Sequence, residues 1–182
     1  MHRLILVRHG RAAATFGEDA DPGLDHVGHQ QAEHAAVALA PLGPLPMLTS
    51  PLRRARETAA PLEARWDTAA SIEPAVGEIP SPTDDLAERA RWLERILGLR
   101  WPEVDRPLRA WRAEVVDFLT ELRTDTVVFT HFVVVNVAVG AATGDDRLVV
   151  CHPANASRTV LGVEAGHLHV LDPVQEGDTE IL

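Results

Sequence analysis

Arg8, His9 and Gly10 follow directly on the apolar run Leu4-Ile5-Leu6-Val7, so a guanidinium and an imidazole stand side by side where a hydrophobic segment ends. A neutral imidazole is a competent nucleophile, and a guanidinium offers a planar fork of donors that matches phosphate oxygens. Two other segments carry the same chemical types. Arg53, Arg54 and Arg56 come just after Ser50-Pro51, and His131 closes the apolar run Thr126-Val127-Val128-Phe129-Thr130. All 17 cationic residues are arginine. The lack of lysine excludes Schiff-base chemistry and a phosphate loop ending in Gly-Lys-Ser/Thr. Two imidazoles and several guanidiniums, with no nucleotide loop, point to direct binding of a phosphate group.

For these residues to act together, the elements carrying them must end at one edge. Residues 3–7 are expected to form a strand, and Asp25 to cap a helix over 26–40. Met47 to Thr49 forms a second short strand. Ser50-Pro51 has the pattern of a helix start, with serine as the cap, for a helix running to about Asp67. Ser71 to Val76 is extended, and Gly77 to Pro82 is a loop. Leu86, Ala90, Leu93 and Leu97 share one helical face, and Leu108, Trp111, Val115, Phe118 and Leu122 share another. Thr126 to Thr130 is a buried strand. Phe132 to Thr143 is a buried helix closed by Gly144. Residues 159–163 and 167–171 alternate around Glu164-Ala165-Gly166, a hairpin signal. The whole predicts an α/β fold, a three-layer α/β/α sandwich with a mostly parallel central sheet and antiparallel edge strands near the C-terminus. Residues 1–182 are expected to form a single domain, with the helical segment 80–122 placed to cover the site. Ligands in such sheets bind beyond the carboxyl ends of the strands, which is where Arg8, His9 and His131 fall. Helix N-termini at that edge add unpaired N–H groups that favour an anion.

Composition narrows the function classes. A chain of 182 residues with 46% hydrophobic content can bury a sizeable core. The formal net charge of −10 disfavours nucleic acid and anionic membrane surfaces as partners. It leaves room for one small anion in a local arginine pocket. Cys151 is the only cysteine, so neither an internal disulfide nor a multi-cysteine zinc site is expected. No apolar run approaches the roughly 20 residues of a membrane span, and the N-terminus has no signal-peptide pattern. A cytoplasmic protein acting on a small phosphorylated molecule, without cofactor or metal, is the expectation; oligomeric state is not readable.

The ordered set Leu6-Val7-Arg8-His9-Gly10, Ser50-Pro51-Leu52-Arg53-Arg54-Ala55-Arg56-Glu57-Thr58-Ala59 and Val127-Val128-Phe129-Thr130-His131 resembles the histidine phosphatase superfamily, which includes the phosphoglycerate mutases. Gly28-His29-Gln30-Gln31-Ala32 resembles the family's Gly-x-x-Gln-Ala helix. The resemblance implies His9 as the nucleophile that becomes transiently phosphorylated. It implies that Arg8, Arg54 and His131 hold the phosphoryl oxygens. Glu78, after Ala75-Val76-Gly77, matches the family acid, with Asp84, Asp85 and Glu88 as rivals. Thr15 falls where some members place a polar phosphate contact. The chain departs from the family where Phe132 replaces the usual glycine and where Arg11 stands in place of glutamate or glutamine. Arg11 there would suit a substrate with additional negative charge.

The implied activity is a metal-independent phosphomonoesterase working through phosphohistidine. The alternatives are a phosphoglycerate mutase, disfavoured by the short chain, and a noncatalytic phosphate-binding regulatory module. Trp92, Trp101 and Trp111, interleaved with seven arginines between residues 86 and 112, fit core packing beneath a solvated charged face. His167 and His169 fit an exposed strand face. His29 and Glu33, one helical turn apart, fit a simple side-chain pair.

Overall fold

The computed structural model describes residues 1–15 and 17–177, so Phe16 and the last five residues of the expected 1–182 domain lie outside the described residues. In chain order the elements are β1 (His2–Arg8), α1 (His26–Leu39), β2 (Met47–Thr49), α2 (Arg53–Trp66), β3 (Ser71–Ile72), α3 (Leu86–Leu97), α4 (Arg106–Glu121), β4 (Thr126–Thr130), α5 (Phe132–Thr143), β5 (Arg158–Glu164) and β6 (His167–Val170). The six strands form one sheet in the order β3-β2-β4-β1-β5-β6. The first four are parallel, and β5 and β6 run antiparallel at one edge.

Alternation along the central strands divides the core between the two faces. Leu4, Leu6 and Val128 face α5, with Trp92, Leu93 and Ile96 of α3 and Leu108, Val115 and Leu119 of α4 in the same apolar cluster. Ile5, Val7, Val127 and Phe129 face Ala36 and Leu39 of α1 and Ala59, Leu62 and Trp66 of α2. This is the three-layer α/β/α architecture expected from the sequence. α5 is apolar all round because it is wedged between sheet and outer helices; Phe132 through Gly140 are buried without interruption.

Local chemistry sets most boundaries. Asp25 accepts from the Gly28 backbone N–H at 2.7 Å and caps α1 as expected. Gly144 closes α5 at φ 70°, and the β5–β6 turn places Ala165 and Gly166 at φ 51° and 78°. Two successive positive φ angles match the twist of a two-residue hairpin. The expected start of α2 is corrected: Leu52, not Ser50, is the N-cap, and its side chain makes no cap hydrogen bond. The Ser50 hydroxyl does accept from the Leu52 N–H at 3.2 Å, but it also turns toward His131. The expected His29–Glu33 pair is replaced as well, since Glu33 bonds Arg65 and His29 faces Glu57. Trp92 and Trp101 are buried as expected, with the Trp101 and Trp111 ring centroids 6.3 Å apart.

Candidate active site

Register brings three strand ends level. Arg8 lies opposite Thr130, and Thr49 opposite Phe129. Beyond the strands, the His9 N–H donates to the Thr130 carbonyl at 2.9 Å, and the Ser50 N–H donates to the Phe129 carbonyl at 2.9 Å. The residue after each strand is thus tied to its neighbour, so His9, Ser50 and His131 emerge together at the carboxyl edge.

The segment after His9 is clamped from both sides. The Gly10 N–H donates to Thr58 Oγ1 of α2 at 3.0 Å, and that hydroxyl donates to the Arg54 carbonyl at 2.7 Å. A Cβ on Gly10 would lie 2.6 Å from the Gly28 carbonyl oxygen, and one on Gly28 would lie 2.1 Å from the Arg11 carbonyl oxygen. Both glycines are required by this close backbone approach. The His9 carbonyl accepts from Asn155 Nδ2 and from the Ala156 N–H, each at 3.2 Å.

Within this frame four of the predicted side chains are buried: Arg8, His9, Arg54 and His131. The two imidazole centroids are 5.3 Å apart. His9 Nδ1 lies 2.8 Å from the Gly10 carbonyl oxygen, which can only accept, so Nδ1 carries the proton. Arg54 Nε donates to His9 Nε2 at 3.2 Å, which requires a lone pair there. Burial, and then the nearby Arg54 and Arg8 charges, hold the His9 pKa well below its usual 6.5, so the ring is neutral.

Arg8 is held by Nη1 donating to the Pro153 carbonyl at 2.7 Å, and its guanidinium carbon lies 5.2 Å from the centre of the Phe132 ring. Burial lowers its pKa to about 10, which leaves it charged at neutral pH. Phe132, at the position where the resemblance implies glycine, is thus packed against the Arg8 guanidinium. Burial also lowers the Arg54 pKa, against the opposing charges of Glu78 and Asp21.

Glu78 completes the group. Its Oε2 lies 3.4 Å from His131 Nδ1 and 3.6 Å from Arg54 Nη2. Burial raises its pKa, while Arg54 and Arg8 pull the other way. Two of the three rival acids are occupied elsewhere: Asp85 caps α3 by accepting from the Glu88 N–H, and Glu88 accepts from Thr83 Oγ1. The His131 pKa is also held well below 6.5, by burial and then by Arg54, His9 and Arg8.

Two predicted residues are not brought into contact with this group. The Arg11 guanidinium pairs with Asp25 Oδ2 at 2.6 Å, and the Thr15 hydroxyl donates to Glu18 at 2.9 Å. Two that the sequence reasoning did not credit are found here. Ser50 Oγ lies 2.7 Å from His131 Nε2, and Thr58 joins α2 to Gly10. Their signal was present, since both lie inside the Ser50–Ala59 block, but Ser50 has the pattern of a cap.

Donor atoms of His9, Glu78 and His131 lie within 4.8 Å of one another, a spacing a metal ion could use. Two buried guanidiniums adjoin them, so the pocket's charge suits an anion better than a cation. Among the described residues no helix is long and apolar enough to cross a membrane.

Solved structures share this fold. A phosphoserine phosphatase from Entamoeba histolytica, in complex with 3-phosphoglyceric acid, matches with TM-score 0.76 at 19% identity, covering 100% of both chains. Bacillus stearothermophilus YhfR matches with TM-score 0.74 at 20% identity, again over 100% of both chains. A mycobacterial glucosyl-3-phosphoglycerate phosphatase complexed with VO3 matches with TM-score 0.69 at 21% identity, covering 97% of this chain and 100% of its own. No curated protein matches the sequence. The model of the histidine phosphatase superfamily (branch 1) matches residues 4–174, a span that contains every side chain of the pocket. The protein therefore belongs to the histidine phosphatase superfamily, branch 1.

Proposed function

We propose that the protein hydrolyses phosphate monoesters of small molecules through a phosphohistidine on His9. The observation that carries this reading is the state of His9: a buried, neutral ring, protonated on Nδ1, with its Nε2 lone pair accepting from Arg54 and the Arg8 charge also acting on the ring. That is a nucleophile aimed at a site built for an anion.

In the first step the Nε2 lone pair attacks phosphorus in line, and the P–O bond to the alcohol breaks. Arg8, Arg54 and His131 donate to the equatorial oxygens, whose charge would otherwise oppose the attack. Glu78, whose pKa burial raises, gives a proton to the departing alkoxide. In the second step the Glu78 carboxylate takes a proton from water as the water oxygen attacks the phosphohistidine. The P–N bond breaks, its electron pair returns to Nε2, and inorganic phosphate leaves. No step calls for a metal.

The charge of Arg89 on α3 acts on Arg54, which supports the reading that the 80–122 segment covers the site and selects the alcohol. The named relatives act on glucosyl-3-phosphoglycerate and phosphoserine, which makes small phosphorylated carboxylic acids the first candidates. The test is inorganic phosphate release across a panel of such esters, with and without chelator. Chelator-insensitive release supports the reading. Isomerisation of phosphoglycerate without phosphate release would identify a mutase. Tight vanadate binding with no turnover would identify a noncatalytic phosphate-binding module.

A further inference from the structure

We propose that Ser50 is a positioning residue that holds the proton of neutral His131 on Nδ1, making this ring a hydrogen-bond donor to the phosphoryl group. The inference rests on the proposed phosphatase reading for its use in catalysis, but not for its geometry. Ser50 and His131 are both fully buried, so every polar hydrogen between them must be satisfied within the protein. The Ser50 hydroxyl oxygen already accepts from the Leu52 N–H at 3.2 Å. Among the described residues, its own hydrogen finds one acceptor, His131 Nε2 at 2.7 Å. The reverse arrangement, with Nε2–H donating to Ser50, would leave the hydroxyl hydrogen without an acceptor among the described residues, at a cost comparable to a lost hydrogen bond. Ser50 therefore donates, Nε2 accepts, and the proton of the neutral ring belongs to Nδ1.

That assignment gives meaning to an otherwise anomalous atom. His131 Nδ1 is buried and makes no hydrogen bond among the described residues, and Glu78 Oε2 lies 3.4 Å from it. An orphan donor aimed at an anion pocket is satisfied when a phosphoryl oxygen arrives. The two imidazoles thereby become complementary through opposite use of the same tautomer. In His9 the Gly10 carbonyl accepts from Nδ1–H and leaves the Nε2 lone pair to Arg54 and the pocket. In His131 the Ser50 hydroxyl covers Nε2 and leaves Nδ1–H facing it. One ring attacks while the other donates, and neither needs a change of protonation beforehand.

The experiment is long-range proton–nitrogen NMR of histidine-labelled protein near pH 7.5 without substrate, with the His131 signals assigned by their loss in His131→Gln. The expected spectrum shows a protonated Nδ1 and an unprotonated, hydrogen-bonded Nε2. A proton on Nε2, or a cationic ring, overturns the proposal. This readout stands apart from turnover, so failure of the phosphatase reading would not be mistaken for failure of the tautomer assignment. In Ser50→Ala the tautomer preference should be lost, and kcat on the best ester should fall about 10- to 100-fold with little change in KM. Ser50→Thr, which retains a hydroxyl, should recover most of the rate. An unchanged His131 spectrum in Ser50→Ala overturns the role of Ser50. Should neither variant fold, the wild-type spectrum alone still decides.

Discussion

Replacing Glu78 with glutamine isolates proton delivery from every other function of the pocket. Glutamine keeps the size and hydrogen-bonding reach of the side chain but can neither donate an acidic proton nor abstract one. The carboxyl it replaces sits with Oε2 3.4 Å from His131 Nδ1 and 3.6 Å from Arg54 Nη2, inside the space a bound phosphate ester would share. Its raised pKa, caused by burial, favours the protonated form that an alkoxide leaving group needs. A positioned general acid contributes on the order of 100- to 10,000-fold, or about 3–5 kcal/mol of barrier. For an alkyl phosphate ester, whose alkoxide is a poor leaving group, Glu78→Gln should lower kcat by that factor. For 4-nitrophenyl phosphate, whose phenolate leaves without a proton, phosphohistidine formation should be nearly unaffected. The second step still lacks its base, so this substrate should show a stoichiometric burst of nitrophenolate followed by slow turnover. Rapid-mixing absorbance measures the burst, and steady-state phosphate release measures the loss on the alkyl ester. Equal losses on both substrates, with no burst, would refute the assignment of Glu78 as the proton donor.

Three other outcomes follow from the same geometry. Arg54→Lys keeps a charge but loses the fork and the Nε–H that His9 Nε2 accepts, so kcat/KM should fall about 100-fold; a loss below about threefold would contradict its place on the phosphoryl oxygens. His9 and His131 have folded-state pKa values below the usual 6.5, so the unfolded chain takes up their protons first as pH falls; each costs up to about 1.4 kcal/mol of stability per pH unit below that point. Urea unfolding at about pH 7.5 and 5.5 should therefore show a shallower acid loss in His131→Gln than in wild type, and parallel curves would contradict the buried neutral rings. Phe132→Ala should cost about 3–5 kcal/mol in denaturant unfolding, since the ring is buried under Arg8; a cost below about 1 kcal/mol would mean that it is not packed there.

The layout of the site was largely legible because it depends on where strands stop. Apolar runs ending in Arg8-His9 and in His131 mark buried strands with polar ends, and the sheet register places those ends at one edge. Glu78 could be singled out by its position after Val76 and Gly77, and the fold brings its carboxyl to His131 and Arg54. Ser50 was not, because a serine before proline has the same pattern whether it caps a helix or bonds a distant ring. Only the packing of β2 against β4 separates the two uses. Arg11 and Thr15 are candidates by their positions relative to the motif, yet Asp25 and Glu18, close by in the chain, hold them. A charge in a loop finds local partners that motif position does not reveal. The replacement of the His29–Glu33 pair has a similar origin, since cross-helix partners Arg65 and Glu57 outcompete a single-turn neighbour.

The central claim is that one particular nitrogen of this chain carries the phosphoryl group between substrate and water. Rapid acid-free quenching during turnover, followed by mapping of the modified peptide by mass spectrometry, tests it most directly. An acid-labile phosphoryl group on His9, absent from His9→Ala protein that remains folded and turns over no ester, is the predicted result. Turnover that persists in His9→Ala, or a phosphoryl group found on another residue, would contradict it.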